Sequence, residues 1–265
     1  MNHSTEQPIG VFDSGIGGTS ILSEINNLLP NEDTIYLSDS ANAPYGQRSP
    51  QEIIALSIKN TEYLLKQGCK IIVVACNTAT TNAIKTLRNN YDVPFIGIEP
   101  AIKPAALKTT TNVIGILATK GTLNSQLFEQ TSNTINDRIK IIEQVGEGLV
   151  ELIENGKINS KEMTLLLEKY LYNILEKNAD CIVLGCTHYP YLIPQIQRIV
   201  GNNIDIIDSS EAVAKQTKRI LSQHDLLHKT VTRKGVHSIL INADSNPLRT
   251  IVGNKQDYTI REVTF

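Results

Sequence analysis

Two cysteines in this sequence lie at the ends of two matching apolar runs. Cys76 follows residues 71–75, Ile-Ile-Val-Val-Ala, and Cys186 follows residues 181–185, Cys-Ile-Val-Leu-Gly. Continuous apolar runs of this length are typical of strands that are buried on both faces of a parallel sheet. Because ligands bind beyond the carboxyl ends of such strands, we expect both thiols to lie at the edge of a site.

These two thiols are suited to acid–base chemistry on a small molecule. We expect a helix to begin beside each one, where the positive end of the helix dipole lowers the pKa of a thiol. A base on one face of a carbon and an acid on the other face invert a stereocentre. Cys69 and Cys181 lie at the starts of strands instead, where cysteine is usually a small buried apolar residue.

Other uses of cysteine fit this sequence less well. A Cys-x-x-Cys pair is absent from the sequence, which disfavours a zinc site and a thioredoxin-type redox centre. A cysteine hydrolase with His188 as its base remains open, but it leaves one of the two thiols without a role. We expect neither a metal nor a pyridoxal cofactor.

A glycine-rich turn, residues 13–18, follows the short apolar run at residues 9–12. A helix is expected after the turn, because apolar side chains recur at helical spacing until Pro30. Such a strand–turn–helix unit leaves backbone N–H groups free to face a ligand. Nucleotide binding is disfavoured, because Ser20 replaces the third glycine of the dinucleotide motif and Asp13 would repel a pyrophosphate.

A further helix is predicted from its N-terminal signals. Residues 49–52, Ser-Pro-Gln-Glu, combine a capping serine, a proline at the first helical position and a glutamate that reaches back to the cap. Gly68 is expected to end this helix. Its inward face is predicted to carry Ile54, Ile58, Thr61 and Leu65.

The two halves of the chain resemble each other. Residues 9–12 match residues 114–117 at an offset of 105, and the two cysteine runs are 110 positions apart. Two matches at nearly one offset predict a duplicated fold, with the second unit starting near Pro94. Two late strand candidates, residues 236–241 and 258–263, exceed the second repeat, so we expect them to return to the first unit.

The composition limits the class of protein. A chain of 265 residues suits two α/β domains, and a net charge of −2 gives no electrostatic reason to expect nucleic acid or a membrane as a partner. No run approaches the roughly 18 apolar residues of a spanning helix, and residues 1–8 are polar, so we expect no signal peptide. The 4 cysteines do not make a disulfide scaffold, and we expect reduced thiols in a cytoplasmic protein.

Five short blocks of the sequence carry a family resemblance. They are Asp-Ser-Gly-Ile-Gly-Gly at 13–18, Pro-Tyr-Gly at 44–46, Ala-Cys-Asn-Thr-Ala at 75–79, Ile-Glu-Pro-Ala at 98–101 and Gly-Cys-Thr-His-Tyr-Pro at 185–190. In their order and spacing these blocks resemble those of bacterial glutamate racemases, members of the cofactor-independent aspartate/glutamate racemase superfamily. As a set they are highly specific.

The resemblance implies an α/β fold of two pseudo-symmetric domains, each a mainly parallel sheet flanked by helices, with the active site in the cleft between them. Residues 1–96 and 209–265 would form the first domain, and residues 97–208 the second. The resemblance also implies a homodimer that needs no cofactor and binds a small-molecule substrate.

By the same resemblance, Cys76 and Cys186 are the two acid/base residues. Asp13 would assist Cys76 or hold the substrate ammonium, and His188 would support Cys186. The residues implied in substrate binding are Asp13, Ser14, Tyr45, Gly46, Asn77, Thr78, Thr187 and His188. Thr119 and Thr122 match a further family contact, and an acidic residue of the family falls at Glu147, Glu151 or Glu154.

The implied activity is the interconversion of L- and D-glutamate by two-base proton transfer, which would supply D-glutamate for peptidoglycan. An aspartate or other amino-acid racemase of the same superfamily is the alternative. A binding protein with an inactive site is a third possibility, which the intact pair of cysteines disfavours.

Overall fold

The computed structural model describes residues 4–135, 137–230, 232–253 and 258–265, so the first three residues of the polar N-terminal segment lie outside it. The described residues form ten strands and eleven α-helices. The strands are β1 (Ile9–Asp13), β2 (Thr34–Ser38), β3 (Ile71–Val74), β4 (Phe95–Gly97), β5 (Val113–Ala118), β6 (Lys140–Val145), β7 (Cys181–Gly185), β8 (Asp205–Ile207), β9 (His237–Ile241) and β10 (Tyr258–Glu262). The α-helices are α1 (Thr19–Leu28), α2 (Pro50–Lys66), α3 (Asn77–Asn90), α4 (Ile102–Lys108), α5 (Lys120–Leu123), α6 (Gln126–Ser132), α7 (Leu149–Glu154), α8 (Lys161–Leu175), α9 (Ile193–Val200), α10 (Ser210–Gln223) and α11 (Asn246–Val252). Within these ranges, none of the helices is long and apolar enough to cross a bilayer.

The strands form two parallel sheets. The first has the order β10-β9-β2-β1-β3-β4 and the second the order β6-β5-β7-β8, and their strand pairs are parallel. Every residue of β1, β3 and β7 is buried, as predicted for apolar runs in the middle of parallel sheets. The expected α/β fold is therefore confirmed.

The second sheet repeats the centre of the first. We call the part of the protein that contains the first sheet the first half, and the part that contains the second sheet the second half. In β2-β1-β3-β4 and in β6-β5-β7-β8, the first strand of each half lies between the second and the third. Phe12 pairs with Val74, and the residues at the corresponding positions of the repeat, Leu117 and Leu184, pair with each other. Both halves therefore share one strand order and one register at the strands that carry the cysteines.

The C-terminal strands belong to the first sheet. Strand β9 pairs with β2, and β10 pairs with β9, so the chain returns to its first half after the second sheet is complete. Strand β4 pairs with β3 as far as Gly97, so the second unit does not start at Pro94. The division at residues 96/97 and 208/209 stays a prediction, because strand pairing alone does not define independently stable domains.

Helix α2 begins as predicted, and the centre of its inward face lies one residue before the predicted one. Glu52 N–H donates to Ser49 Oγ at 3.3 Å and Ser49 N–H donates to Glu52 Oε2 at 2.9 Å, which is the expected capping box. Thr61 is buried as predicted, and Ile54, Ile58 and Leu65 are half-buried and pack against the apolar core, while polar side chains take fully buried positions beside them. Ser57, for example, donates to the Ile53 carbonyl at 2.7 Å. The buried residues of the helix are Ile53, Ser57, Asn60, Thr61 and Leu64.

A buried ion pair and its hydrogen bonds join four segments of the chain. Lys70 Nζ lies 2.6 Å from Glu32 Oε2, and the two side chains are 0% and 3% exposed. Lys70 also donates to the Thr5 carbonyl, and His228 N–H donates to the second carboxylate oxygen of Glu32. Because buried charges are stable only when paired and hydrogen-bonded, this pair ties both ends of the chain to the first sheet.

Replacing Lys70 with methionine should lower the free energy of unfolding by about 3–5 kcal/mol, because the Glu32 carboxylate is left buried without its counter-charge. The matched control is Lys108→Met. Lys108 lies at the same 2.6 Å from Asp205, but those side chains are 55% and 46% exposed. The control should change the free energy of unfolding far less, because water screens exposed pairs. Urea unfolding measures both variants, and equal losses would contradict this account of the buried pair.

Candidate active site

Both cysteines lie just beyond the carboxyl ends of their strands and line one cavity. The residues around it come from both halves of the chain: Ser14, Pro44, Tyr45, Gly46, Cys76, Asn77, Thr78, Thr119, Val150, Cys186, Thr187 and His188. Nine of the ten residues implied for the site are thus brought together. The tenth, Asp13, is fully buried and is hydrogen-bonded to two lining residues, Ser14 and Thr187.

The cavity is narrow. Its volume is about 10 Å³, which is room for about one water molecule and far too little for an amino acid. A side chain at Gly46 would touch Thr119 of the second half, so the loop that carries Gly46 packs directly across the cleft. Gln47 in the same loop donates to Glu151 at 2.5 Å. The site must therefore widen before a substrate enters.

Cys76 caps helix α3 and begins a chain of hydrogen bonds. Ala79 N–H donates to Cys76 Sγ at 3.4 Å, and the Cys76 thiol donates to Ser14 Oγ at 3.6 Å. Ser14 Oγ in turn donates to Asp13 Oδ1 at 3.3 Å. The chain leads from the thiol to a buried carboxylate.

The predicted lowering of the Cys76 pKa is wrong for this closed site. Burial raises the pKa of Cys76 well above its usual value, the Asp13 charge raises it further, and the Ala79 N–H opposes them only in part. Burial likewise raises the pKa of Asp13, against the opposing charge of His188. The start of α3 is visible in the sequence, but the exclusion of water by the second half is not.

Cys186 has a histidine as its partner. His188 Nδ1 lies 3.7 Å from Cys186 Sγ, and His188 Nε2 lies 2.5 Å from Glu154 Oε1. Burial lowers the pKa of His188, but the hydrogen bonds and negative charges of Cys186 and Glu154 outweigh it, so the pKa is raised well above its usual value. The raised pKa favours the protonated imidazole of His188, which lies between the sulfur and the carboxylate.

The helix expected beside Cys186 does not begin there. A 3-10 turn, Tyr189–Leu192, follows His188, and α9 begins only at Ile193. The local electrostatics at Cys186 therefore depend on the imidazolium rather than on a helix dipole.

Glu154 is the acidic residue that reaches the site. Of the other two candidates, Glu151 accepts a hydrogen bond from Gln47 at the mouth of the cleft, and the carbonyl of Glu147 accepts one from Tyr170. The sequence alone did not separate these candidates, because the partner of Glu154 lies 34 positions away in His188.

The glycine-rich turn donates a hydrogen bond to a carboxylate of the protein itself, that of Glu154. Ile16 N–H donates to Glu154 Oε1 at 2.7 Å, across the cleft. A side chain at Gly15 would overlap the Glu154 carboxylate, and one at Gly17 would overlap the His188 imidazole. Glycine at these positions therefore lets the Glu154 carboxylate and the His188 imidazole of the second half lie close to the turn.

Tyr45 fixes its loop through its hydroxyl group. Tyr45 OH donates to Asp39 Oδ2 at 2.5 Å and accepts a hydrogen bond from Asn60 at 3.0 Å. Asn242, just after β9, donates to Asp39 Oδ1 at 2.6 Å and accepts from Ala41 N–H at 2.8 Å. Sequence reasoning missed Asp39, Asn60 and Asn242, because no local pattern marks contacts between such distant segments.

Asn77 carries unfilled hydrogen-bonding groups at the cavity. Its side chain is buried, and neither the amide nitrogen nor the amide oxygen has a hydrogen-bond partner within the described residues. Because buried polar groups are nearly always paired, this amide favours a polar ligand in the cavity that it lines. Nearby, the hydroxyl groups of Thr78 and Thr119 lie 2.8 Å apart, and those of Thr119 and Thr122 lie 3.0 Å apart.

The other two cysteines lie inside the apolar cores of the two halves. Burial raises the pKa of Cys69 to about 12 and that of Cys181 to about 11. Their positions agree with the prediction that they are small buried apolar residues.

Known proteins share this sequence and fold. Residues 9–217 match the family model described as Asp/Glu/Hydantoin racemase. A glutamate racemase of Herpetosiphon aurantiacus is 44% identical over 231 residues, which cover 87% of this chain and 91% of that protein. The crystal structure of glutamate racemase from Francisella tularensis in complex with D-glutamate gives a TM-score of 0.83 at 28% identity, covering 98% of both chains. That of Escherichia coli glutamate racemase in complex with L-glutamate and the activator UDP-MurNAc-ala gives a TM-score of 0.84 at 29% identity, covering 97% of this chain and 98% of that one.

Proposed function

The chain belongs to the Asp/Glu/Hydantoin racemase family and is an amino-acid racemase, an isomerase, and we propose that its substrate is glutamate. Sequence identity to curated glutamate racemases supports this substrate, as do structural neighbours that hold D-glutamate and L-glutamate. The observation that carries the proposal is the pair of thiols, Cys76 and Cys186, which come from equivalent strands of a duplicated fold and line one cavity.

The proposed mechanism uses one thiol on each face of the α-carbon. In one direction the Cys76 thiolate accepts the α-proton, and the Cys186 thiol donates a proton to the opposite face. In the other direction the two cysteines exchange these roles. After one turnover Cys76 is the thiol and Cys186 is the thiolate. When the cleft opens, proton exchange with solvent returns Cys76 to the thiolate and Cys186 to the thiol.

Each thiol is supported by its own hydrogen-bond chain. Cys76 is linked through Ser14 to Asp13, and Cys186 is linked through His188 to Glu154. Burial raises the pKa of Cys76, so that its thiolate is a strong base once it has formed in the closed cavity. The His188 imidazolium offers a compensating charge beside Cys186.

The cavity also supplies groups for the substrate carboxylates and for the carbanion-like transition state. Removal of a weakly acidic α-proton depends on fixed dipoles that stabilise the charge as it develops. The Asn77 amide and the Thr78 hydroxyl group are neutral donors at the cavity wall, where Thr187 also lies while its own hydroxyl group donates to Asp13. Neutral donors hold the ground state less tightly than an arginine would, which favours turnover.

The cellular part of the proposal rests on the resemblance to bacterial glutamate racemases. We propose that the protein works in the cytoplasm as a homodimer and supplies D-glutamate for peptidoglycan. It needs neither a metal nor a pyridoxal cofactor in this scheme, because two thiols suffice for the proton transfers.

A substrate screen tests the proposed activity. Protein dialysed against a chelator, with no absorbance beyond the protein band, should convert either enantiomer of glutamate to the racemate in a polarimetric assay. For aspartate, kcat/KM should be at least about tenfold lower, because a chain one methylene shorter cannot reach both sets of carboxylate contacts. Faster turnover of aspartate would favour the alternative racemase, and activity that returned only with zinc or pyridoxal phosphate would contradict the cofactor-independent mechanism.

Replacing either thiol should abolish racemisation, because inversion needs both faces of the carbon. Cys76→Ala and Cys186→Ala should each lower the rate by at least about a hundredfold. Each variant keeps one thiol, which should still remove the α-proton from one enantiomer of β-chloroglutamate. Chloride then leaves, and the enamine hydrolyses to α-ketoglutarate and ammonia.

The two variants should prefer opposite enantiomers in this elimination, which is followed by the release of α-ketoglutarate. Cys69→Ala is the matched control, because that buried thiol lies away from the cavity, and it should retain racemisation. The same enantiomer preference in both variants would mean that the two thiols do not lie on opposite faces of the substrate.

A further inference from the structure

The hydrogen-bond chains at the two thiols are completed across the cleft. Asp13 belongs to the first half, and its Oδ2 accepts a hydrogen bond at 3.2 Å from Thr187 of the second half. Glu154 belongs to the second half, and its Oε1 accepts from Ile16 N–H at 2.7 Å while its Oε2 accepts from Ser40 Oγ at 2.8 Å. Each half therefore donates hydrogen bonds to the carboxylate that serves the other half's thiol.

Ser40 is placed to orient the Glu154 carboxylate. It begins a short 3-10 turn just after β2, and its Oγ lies 3.1 Å from Ser38 Oγ. The turn itself is tied down, because Ala41 N–H donates to Asn242 Oδ1 at 2.8 Å. The Ser40 hydroxyl group therefore donates to Glu154 from a turn whose backbone is held in place by Asn242.

With Ser40 in place, the Glu154 carboxylate has little freedom to rotate. Its Oε2 is held by Ser40, and its Oε1 is shared by Ile16 N–H and His188 Nε2. Gly17 packs against the other side of the imidazole, where a methyl group would overlap Nδ1. Because Nδ1 is the atom that faces Cys186 Sγ, the orientation of Glu154 decides how His188 meets the thiol.

We propose that Ser40 is a positioning residue for the Cys186 side of the reaction, which orients Glu154, and through it His188, only when the cleft is closed. The inference rests on the proposed two-thiol function. In the open cleft, Glu154 loses two donors from the first half, Ile16 N–H and Ser40 Oγ. On closure the carboxylate is captured, and the imidazolium is set beside the sulfur as the α-proton is transferred.

Single-thiol variants separate the two sides of the reaction. In the Cys76→Ala background, where Cys186 is the remaining base, adding Ser40→Ala should slow elimination from β-chloroglutamate about tenfold or more, as expected for the loss of a hydrogen bond to a charged group. In the Cys186→Ala background, the same substitution should have a much smaller effect, because among the described residues the Ser40 hydroxyl group bonds Ser38 and Glu154 rather than the Cys76–Ser14–Asp13 chain. Equal losses in the two backgrounds, or no loss in the first, would overturn the proposal.

Two further variants guard against a general effect on folding. Ser40→Thr keeps the hydroxyl group and should restore most of the lost rate. Ser57→Ala removes another buried serine hydroxyl of the first half, one that donates to the Ile53 carbonyl of its own helix, and should slow neither background. A loss in Ser57→Ala as large as that in Ser40→Ala would assign the effect to stability and overturn the positioning role.

A second readout does not depend on activity. Because the Ser40–Glu154 bond joins the two halves, its loss should favour the open cleft and raise the rate at which iodoacetamide alkylates Cys186, measured by peptide mass spectrometry. Cys181, buried in the core of the second half, is the internal control. If the protein racemises no amino acid, the proposed function is wrong, but the alkylation rate of Cys186 in Ser40→Ala still tests the role of Ser40. An unchanged alkylation rate in Ser40→Ala would show that the bond does not hold the cleft closed.

Discussion

A thiolate is unstable when it is buried away from water, yet the abstraction of an α-proton requires a strong base in a cavity that excludes water. This conflict shapes the site. Burial raises the pKa of Cys76, and the groups around each sulfur offset part of that penalty: the N–H of Ala79 and the Ser14 hydroxyl at Cys76, and the His188 imidazolium at Cys186. Because the carboxylates behind these groups, Asp13 and Glu154, receive hydrogen bonds from the opposite half, closure and chemistry are linked.

Duplication accounts for the pair of thiols but not for their partners. The two halves share one strand order and one register, which sets Cys76 and Cys186 at equivalent strand ends. At the corresponding offsets, however, Thr78 stands where the second half has His188, and Ser14 stands where it has Thr119. The same backbone therefore presents one thiol beside a serine–aspartate pair and the other beside a histidine–glutamate pair, so two chemically different acid/base groups face one cavity.

The sequence predicts what depends on short-range patterns. The buried strands, the capping box of α2, the two strand-end thiols and the return of β9 and β10 all leave local signals in spacing or turn chemistry. Contacts between distant segments leave none. The inward face of α2 is shifted by one residue because Ser57 and Asn60 take core positions, and Glu154 remained one of three candidates because its partners are His188, Ile16 and Ser40. The pKa of Cys76 was predicted in the wrong direction for the same reason, since water is excluded by the other half of the chain.

The central claim is that two thiols act on opposite faces of one carbon, and deuterium incorporation tests it most directly. The reaction is started from one enantiomer of glutamate in heavy water and stopped after a small fraction has turned over. Mass spectrometry of the separated enantiomers should find deuterium at the α-position of the product from the first turnovers, because its proton comes from the second thiol. The remaining substrate should stay largely protonated, because the thiol that removes its proton is not the one that delivers solvent deuterium. Deuterium entering the substrate as fast as the product would mean that one base serves both faces, and it would contradict the two-thiol account.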